Sequence, residues 1–161
     1  MRAAAAKAES LRPLLGRDSN RLVASVWLHD LGYAPSIRHT GFHPLDGAEH
    51  LRRLRLDDRL CCLVANHSGA KYEAVLRGLG GRLATFPDER SFVREALWYC
   101  DMTTSPSGQP VSFDDRLAEI RQRYGEDHTV PRGVTAAADE IRAAIATVVA
   151  AARAHGLLLV S

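Results

Sequence analysis

Val26-Trp27-Leu28-His29-Asp30-Leu31-Gly32 sets a histidine and a carboxylate side by side inside an otherwise apolar helical run. A carboxylate buried without a hydrogen bond, an ion pair or a metal is strongly unfavourable, so the pattern asks what satisfies Asp30. Val23, Val26, Trp27 and Asp30 recur at i, i+3, i+4 and i+7, which predicts a core-facing stripe that ends in the carboxylate. His29 follows Leu22 and Val26 on an adjoining stripe. Successive residues on a helix diverge by about 100°, so both side chains reach one centre only if other segments close around it. The remainder of the chain is therefore expected to bring further ligands.

Working outward, residues 2–15 read as an Ala-rich amphipathic helix weakened by Pro13 and stopped at Gly16, without an N-cap. Asp18, Ser19 and Asn20 offer caps for the helix over 21–31 that carries the His-Asp pair. A loop over 33–42 then delivers His43-Pro44, where proline suits the first turn of a helix running to about residue 55. Asp57 caps a further helix on which Leu60, Leu63, Val64 and His67 share a face, placing His67 inward. Residues 72–83 read as a helix broken by Gly78, Gly80 and Gly81, followed by a turn at Phe86-Pro87-Asp88. Ser91 caps the next helix, where Val93, Leu97, Cys100, Asp101 and Thr104 form one stripe and set a carboxylate among apolar neighbours. Residues 105–110 read as a flexible loop in the position of a lid, and helices over 113–124 and 134–154 complete the chain as packing elements. No alternating strand pattern occurs, so the expected fold class is all-α.

The 161 residues, 46% of them hydrophobic, predict a single domain over 1–161 with a full core. A formal charge of +2 is too weak to suggest a nucleic-acid or membrane surface by itself. Cys61, Cys62 and Cys100 are odd in number and lack Cys-x-x-Cys spacing, so neither a disulfide framework nor a thiolate zinc site is expected. With no signal-peptide pattern and no membrane span, the expected location is the cytoplasm. The charge balance leaves small polar ligands as partners. Oligomeric state has no signature.

His29, Asp30, His43, His67 and Asp101 are thus nitrogen and oxygen ligands on four segments, without cysteine. Such a set suits one or two divalent ions among Fe, Mn, Co, Zn and Mg, held inside a helical bundle. A carboxylate in the place of Asp30 is able to bridge two ions, and a pair of ions supplies a hydroxide nucleophile and clamps phosphate oxygens. Ser68 stands beside His67, but no Gly-x-Ser-x-Gly turn supports it as a nucleophile.

Together, His29-Asp30, His43-Pro44, Asn66-His67-Ser68 and Cys100-Asp101 resemble the HD-domain metal-dependent phosphohydrolases. Trp27-Leu28-His29-Asp30-Leu31-Gly32-Tyr33-Ala34-Pro35 and Ala96-Leu97-Trp98-Tyr99-Cys100-Asp101-Met102-Thr103-Thr104 are similar to a group of small single-domain actinobacterial HD proteins. The resemblance covers about residues 3–125 and leaves the Ala-rich C-terminal helix outside it. It implies an HD-domain helical bundle with the metal site between helices. It further implies that His29, Asp30 and Asp101 hold one ion, that His43 and His67 hold a second, and that Asp30 bridges them. The implied reaction is cleavage of a phosphate ester or anhydride of a small molecule or nucleotide by metal-bound hydroxide. The fold also resembles a group of di-iron oxygenases, which is the alternative chemistry.

One member of the family pattern is missing, because no histidine precedes His29. By the resemblance it would sit at or just upstream of Met1. The expectation is then either a start assigned too late or a first ion held by His29, Asp30, Asp101 and water alone, with a non-catalytic binding domain as the limiting case. Arg38, Lys71 and Thr104 stand near the ligands in sequence and are the candidates for substrate contact. His50 reads as core or as a supporting residue, His39 as a loop residue, and Arg52, Arg53, Arg55 and Arg59 as a solvated basic face.

Overall fold

Helices and turns make up residues 1–159, which are those described by the computed structural model, and no strand occurs among them. The chain opens with α1 (Arg2–Ser10) and α2 (Arg12–Leu15), a single run interrupted where Pro13 enters the first turn of α2, a position that tolerates its missing N–H. Helix α3 (Ser19–Leu28) begins without a side-chain cap, because Asp18 is turned toward Arg21 and Arg59 instead. After a tight turn at Leu31–Tyr33 come α4 (His43–Arg53) and α5 (Asp58–Ala65), the latter capped by the Asp57 carboxylate, which accepts from Leu60 N at 2.8 Å. Short helices α6 (Ala70–Leu76) and α7 (Gly80–Leu83) are separated at Gly78, in a left-handed conformation, whereas Gly80 and Gly81 open α7 instead of breaking it. Then follow α8 (Phe92–Met102), capped by Ser91, and α9 (Phe113–Tyr124), capped by Ser112.

The C-terminal helix departs from the sequence expectation. Instead of one helix over 134–154 there are two, α10 (Thr129–Ala136) and α11 (Ala138–Ala154), with the break at Ala137. His128 caps α10 by accepting from Val130 N through Nδ1, and Gly133 lets α10 lie directly on α6, since a Cβ there would meet Glu73 Cβ at 2.7 Å. The bend lets α10 cover α6 and α9 while α11 covers α8.

Helix α8 is the central strut because it is apolar on two faces. Val93, Leu97 and Cys100 join Ala8, Leu11, Leu22, Val26 and Val148 in one cluster, whereas Trp98 and Met102 join Phe113, Leu117, Ile120 and Ile141 in another. Each large side chain buried in this way contributes roughly 1.5–3 kcal/mol. A third cluster, around Phe42, Leu45, Val64, Ala74 and Phe86, holds α4, α5 and α6 together. Trp98 Nε1 donates to Asn66 O at 3.0 Å, tying α8 to the end of α5. The Cys100 thiol, buried behind the apolar face, is pushed up to about 12 by desolvation and is inert packing.

Two local expectations are corrected. Trp27 was predicted on the inward stripe of α3 but is 47% exposed, and the buried face is Leu22, Ser25, Val26 and His29. These four recur at i, i+3, i+4 and i+7, so the inward stripe is the one adjoining that predicted, and Asp30, in the turn beyond it, is partly exposed rather than buried. Residues 105–110 are not a loose lid. Ser105 N donates to Gln109 O at 2.8 Å, Val111 N donates to Thr103 O at 3.1 Å, and Thr104 pairs with Pro110, which closes the segment into a small hairpin. No described helix is long and apolar enough to cross a membrane.

Candidate metal centre

The ligand candidates all stand at helix ends, where the backbone leaves groups free to orient them. His29 caps the C-terminus of α3, and its ring Nδ1 lies 2.8 Å from Val26 O, a carbonyl of the last helical turn. His67 repeats the arrangement just past α5, with Nδ1 2.6 Å from Val64 O. A carbonyl only accepts, so both rings carry their proton on Nδ1 and present Nε2 inward. Asp30 begins the Leu31–Tyr33 turn, His43 is the first residue of α4, and Asp101 lies in the last turn of α8.

These five side chains converge. Asp30, His43 and His67 each offer a ligand atom within 4.8 Å of the others. The Nε2 atoms of His43 and His67 are 3.0 Å apart, and His43 Nε2 is 3.6 Å from Asp30 Oδ1. His29 Nε2 lies 3.4 Å from the other Asp30 oxygen and 3.5 Å from Asp101 Oδ1. Asp30 thus stands between a His43–His67 pair and a His29–Asp101 pair. The hydroxyl of Ser68 donates to Asp101 Oδ2, leaving Oδ1 to face His29. Ser68 does so from a left-handed backbone conformation, φ 49°, that side-chain-bearing residues seldom adopt.

Two close approaches hold the ligands in register. Gly32 packs on the start of α4 so tightly that a Cβ would fall 2.1 Å from His43 O and 2.7 Å from Gly47 N. The loop before His43 is gathered by the fully buried Asp46, whose carboxylate accepts from the backbone N–H of His39, Thr40 and Gly41 and from the Thr40 hydroxyl. Tyr33 stacks on the His43 ring, centroids 4.0 Å apart and planes 16° from parallel.

The charges are organised around one proton. Burial disfavours a charged His29, but the Asp101 and Asp30 carboxylates outweigh it and push His29 up to about 9. Asp101 is held well below the usual carboxylate range, the attraction of His29 overcoming the effect of burial. Burial and the positive charge of neighbouring histidines push His43 and His67 down, so both stay neutral. His67 Nε2 carries no proton, so His43 Nε2 at 3.0 Å either donates its own N–H to it or shares a metal ion with it. Nitrogen ligands about 2.1 Å from one ion and about 90° apart would themselves be about 3.0 Å apart, so the pair fits a metal as it stands.

A cavity of about 450 Å³ opens over the cluster, within the range of small-molecule sites, about 300–1,000 Å³. Of the residues expected to contact substrate, Thr104 lines it, although its hydroxyl is spent on Cys100 O at 2.7 Å. Arg38 and Lys71 do not line it. Arg38 is on the exposed loop, and the Lys71 ammonium is bound by Glu140 at 2.7 Å. Instead Arg116, Arg123 and Tyr124 of α9 and Glu73 of α6 complete the wall. These were not singled out from sequence, because arginines beside a glutamate at helical spacing read as a solvated face; the available signal was that Arg116, Ile120 and Arg123 lie on one face with Tyr124.

Comparison with protein-family models, curated proteins and solved structures finds no match to this chain, so the chemistry of the site is read from its own geometry.

Proposed function

We propose that the chain is a metal-dependent phosphohydrolase of the HD kind, cleaving a phosphate ester or anhydride of a small molecule such as a nucleotide. The observation that carries this reading is the approach of His43 Nε2 and His67 Nε2 to 3.0 Å beside an Asp30 carboxylate whose second oxygen faces His29. Asp30, His43 and His67 would hold one divalent ion, and His29 and Asp101, with the second oxygen of Asp30, would hold another. Bound there, such ions supply an activated water and positive charge for the oxygens of a phosphoryl group.

The chain's own residues prepare the site. The Val26 and Val64 carbonyls fix the two ring tautomers, so ligand nitrogens need no proton rearrangement on that side. Ser68 occupies one oxygen of Asp101 and keeps the other turned to the cluster. Tyr33 covers one face of His43 and screens it from water. The His29 proton, held between two carboxylates, is the positive charge that a cation would replace.

The test is elemental analysis of protein purified without added metal, with His67→Ala and Asp101→Ala prepared in parallel and all three assayed on p-nitrophenyl phosphate. The expected result is about one to two ions per chain, less in both variants, with phosphatase activity falling in step. A folded chain that takes up no divalent ion, or a phosphatase activity indifferent to both substitutions, refutes the proposal. Iron together with oxygen uptake and no phosphate release would assign the oxygenase chemistry instead.

A further inference from the structure

The wall that α9 gives to the cavity carries two arginines and no metal-ligand candidate. Arg116 and Arg123 are seven residues apart, two turns on one face, about 10 Å along the axis. Glu119 lies between them and accepts from both, through one carboxylate oxygen each. Two positive charges against one negative leave the group with a net positive charge. Among the described residues these are the lysine or arginine side chains that line the cavity.

Their remaining N–H donors are the informative feature. A guanidinium has five donors, and Glu119 takes one from each arginine. Arg116 is only 15% exposed, and its Nε is fully buried without an acceptor among the described residues. The fully buried Nε is closed off from the cavity, so the donors left for a ligand are the terminal N–H groups that Glu119 does not take. The fork of a guanidinium matches a carboxylate or a phosphate.

We propose that Arg116, Glu119 and Arg123 form a second recognition site in the cavity, for an additional anionic group of the substrate. The ligand is then a small molecule charged at both ends, with a phosphoryl group at the histidine–aspartate cluster and a phosphate or carboxylate at α9. The identity of the first group rests on the phosphohydrolase reading; the anion site on α9 rests on the arginines. Glu119 tunes it, since its carboxylate neutralises part of the pair's charge and bridges the two guanidinium groups.

The experiment is titration calorimetry on the metal-loaded full chain with alkylphosphonates, which resist hydrolysis, in three sets: neutral, carboxylate and phosphonate far ends, each over a range of spacer lengths. At the best spacer length the charged-end ligands are expected to bind about tenfold or more tighter than the neutral one. Arg123→Gln, at an exposed position tolerant of change, should remove that difference, and Glu119→Gln should enlarge it. Metal content measured on the same samples shows that the cluster is intact. Whichever charged end binds tighter identifies the group as carboxylate or phosphate. The proposal is overturned if a charged end gains nothing at any spacer length, or if the gain survives both Arg123→Gln and Arg116→Gln. Failure of the phosphohydrolase reading is separate: it is the absence of p-nitrophenyl phosphate turnover while the charge preference persists, an outcome that supports the α9 site.

Discussion

Asp46 offers the sharpest test of how the fold holds the ligand set. Its carboxylate is fully buried and accepts from His39 N at 3.1 Å, Thr40 N at 3.0 Å, Gly41 N at 3.1 Å and the Thr40 hydroxyl. In Asp46→Ala these four donors lose their acceptor together. At about 1 kcal/mol for each, and with the outer ones able to reach water, the expected loss is about 3–4 kcal/mol. Asp46→Asn keeps the shape but offers one acceptor oxygen and puts N–H groups against His39 N and Gly41 N, so about 2 kcal/mol is expected. Urea denaturation followed by circular dichroism gives both values from the midpoint at constant slope. His43 follows the gathered loop by two residues, so metal affinity should fall in the same order, wild type above Asn above Ala. A loss below about 1 kcal/mol for Asp46→Ala, or Asn worse than Ala, would refute the claim that this carboxylate organises the approach to His43.

Two further outcomes are expected. With metal chelated, thermal stability should peak near the ordinary histidine range: His29, raised from 6.5 to about 9, gives stabilisation that is complete below about 6.5 and lost as pH rises toward 9, whereas His43 and His67, lowered, favour the unfolded chain as pH falls below 6.5. Metal should move that optimum to higher pH because it displaces the His29 proton, and a chelated protein that keeps gaining stability up to pH 9 would contradict the scheme. Gly32→Ala should cost about 3 kcal/mol or more in chemical denaturation, since the new Cβ would meet His43 O at 2.1 Å; a cost below about 1 kcal/mol would show that α4 can move away freely.

Much of the candidate cluster is legible in the sequence because most of its members sit next to a helix-boundary signal: Gly32 after His29-Asp30, Pro44 opening the helix at His43, Gly69 after His67. The all-α class follows from the same periodicity. What escaped depended on how helices end and bend. On α3 the inward stripe is the adjoining one, Leu22, Ser25, Val26 and His29 at i, i+3, i+4 and i+7, which leaves Trp27 outside, and Asp30 departs from the helical path at the turn after His29. The break at Ala137 leaves no mark in an alanine-rich run, since either side is a good helix former; it follows from α10 docking on α6 through Gly133. The cavity wall escaped for a different reason. Whether an arginine such as Arg116 faces water or a cavity is set by what packs beside its helix, not by its own spacing.

His29 and His67 are each aimed by a carbonyl three residues earlier in the same segment. The instruction for pointing the imidazole is therefore contained in a peptide of four residues and does not wait for distant parts of the chain. Each ligand acquires its direction when its own helix end forms, and tertiary assembly has only to bring two ready-made donors to a common point. Val26–His29 and Val64–His67 thus repeat one local device, in which the last turn of a helix aims the ring that follows it, while Asp30, Asp101 and His43 meet the inward nitrogens from elsewhere in the chain.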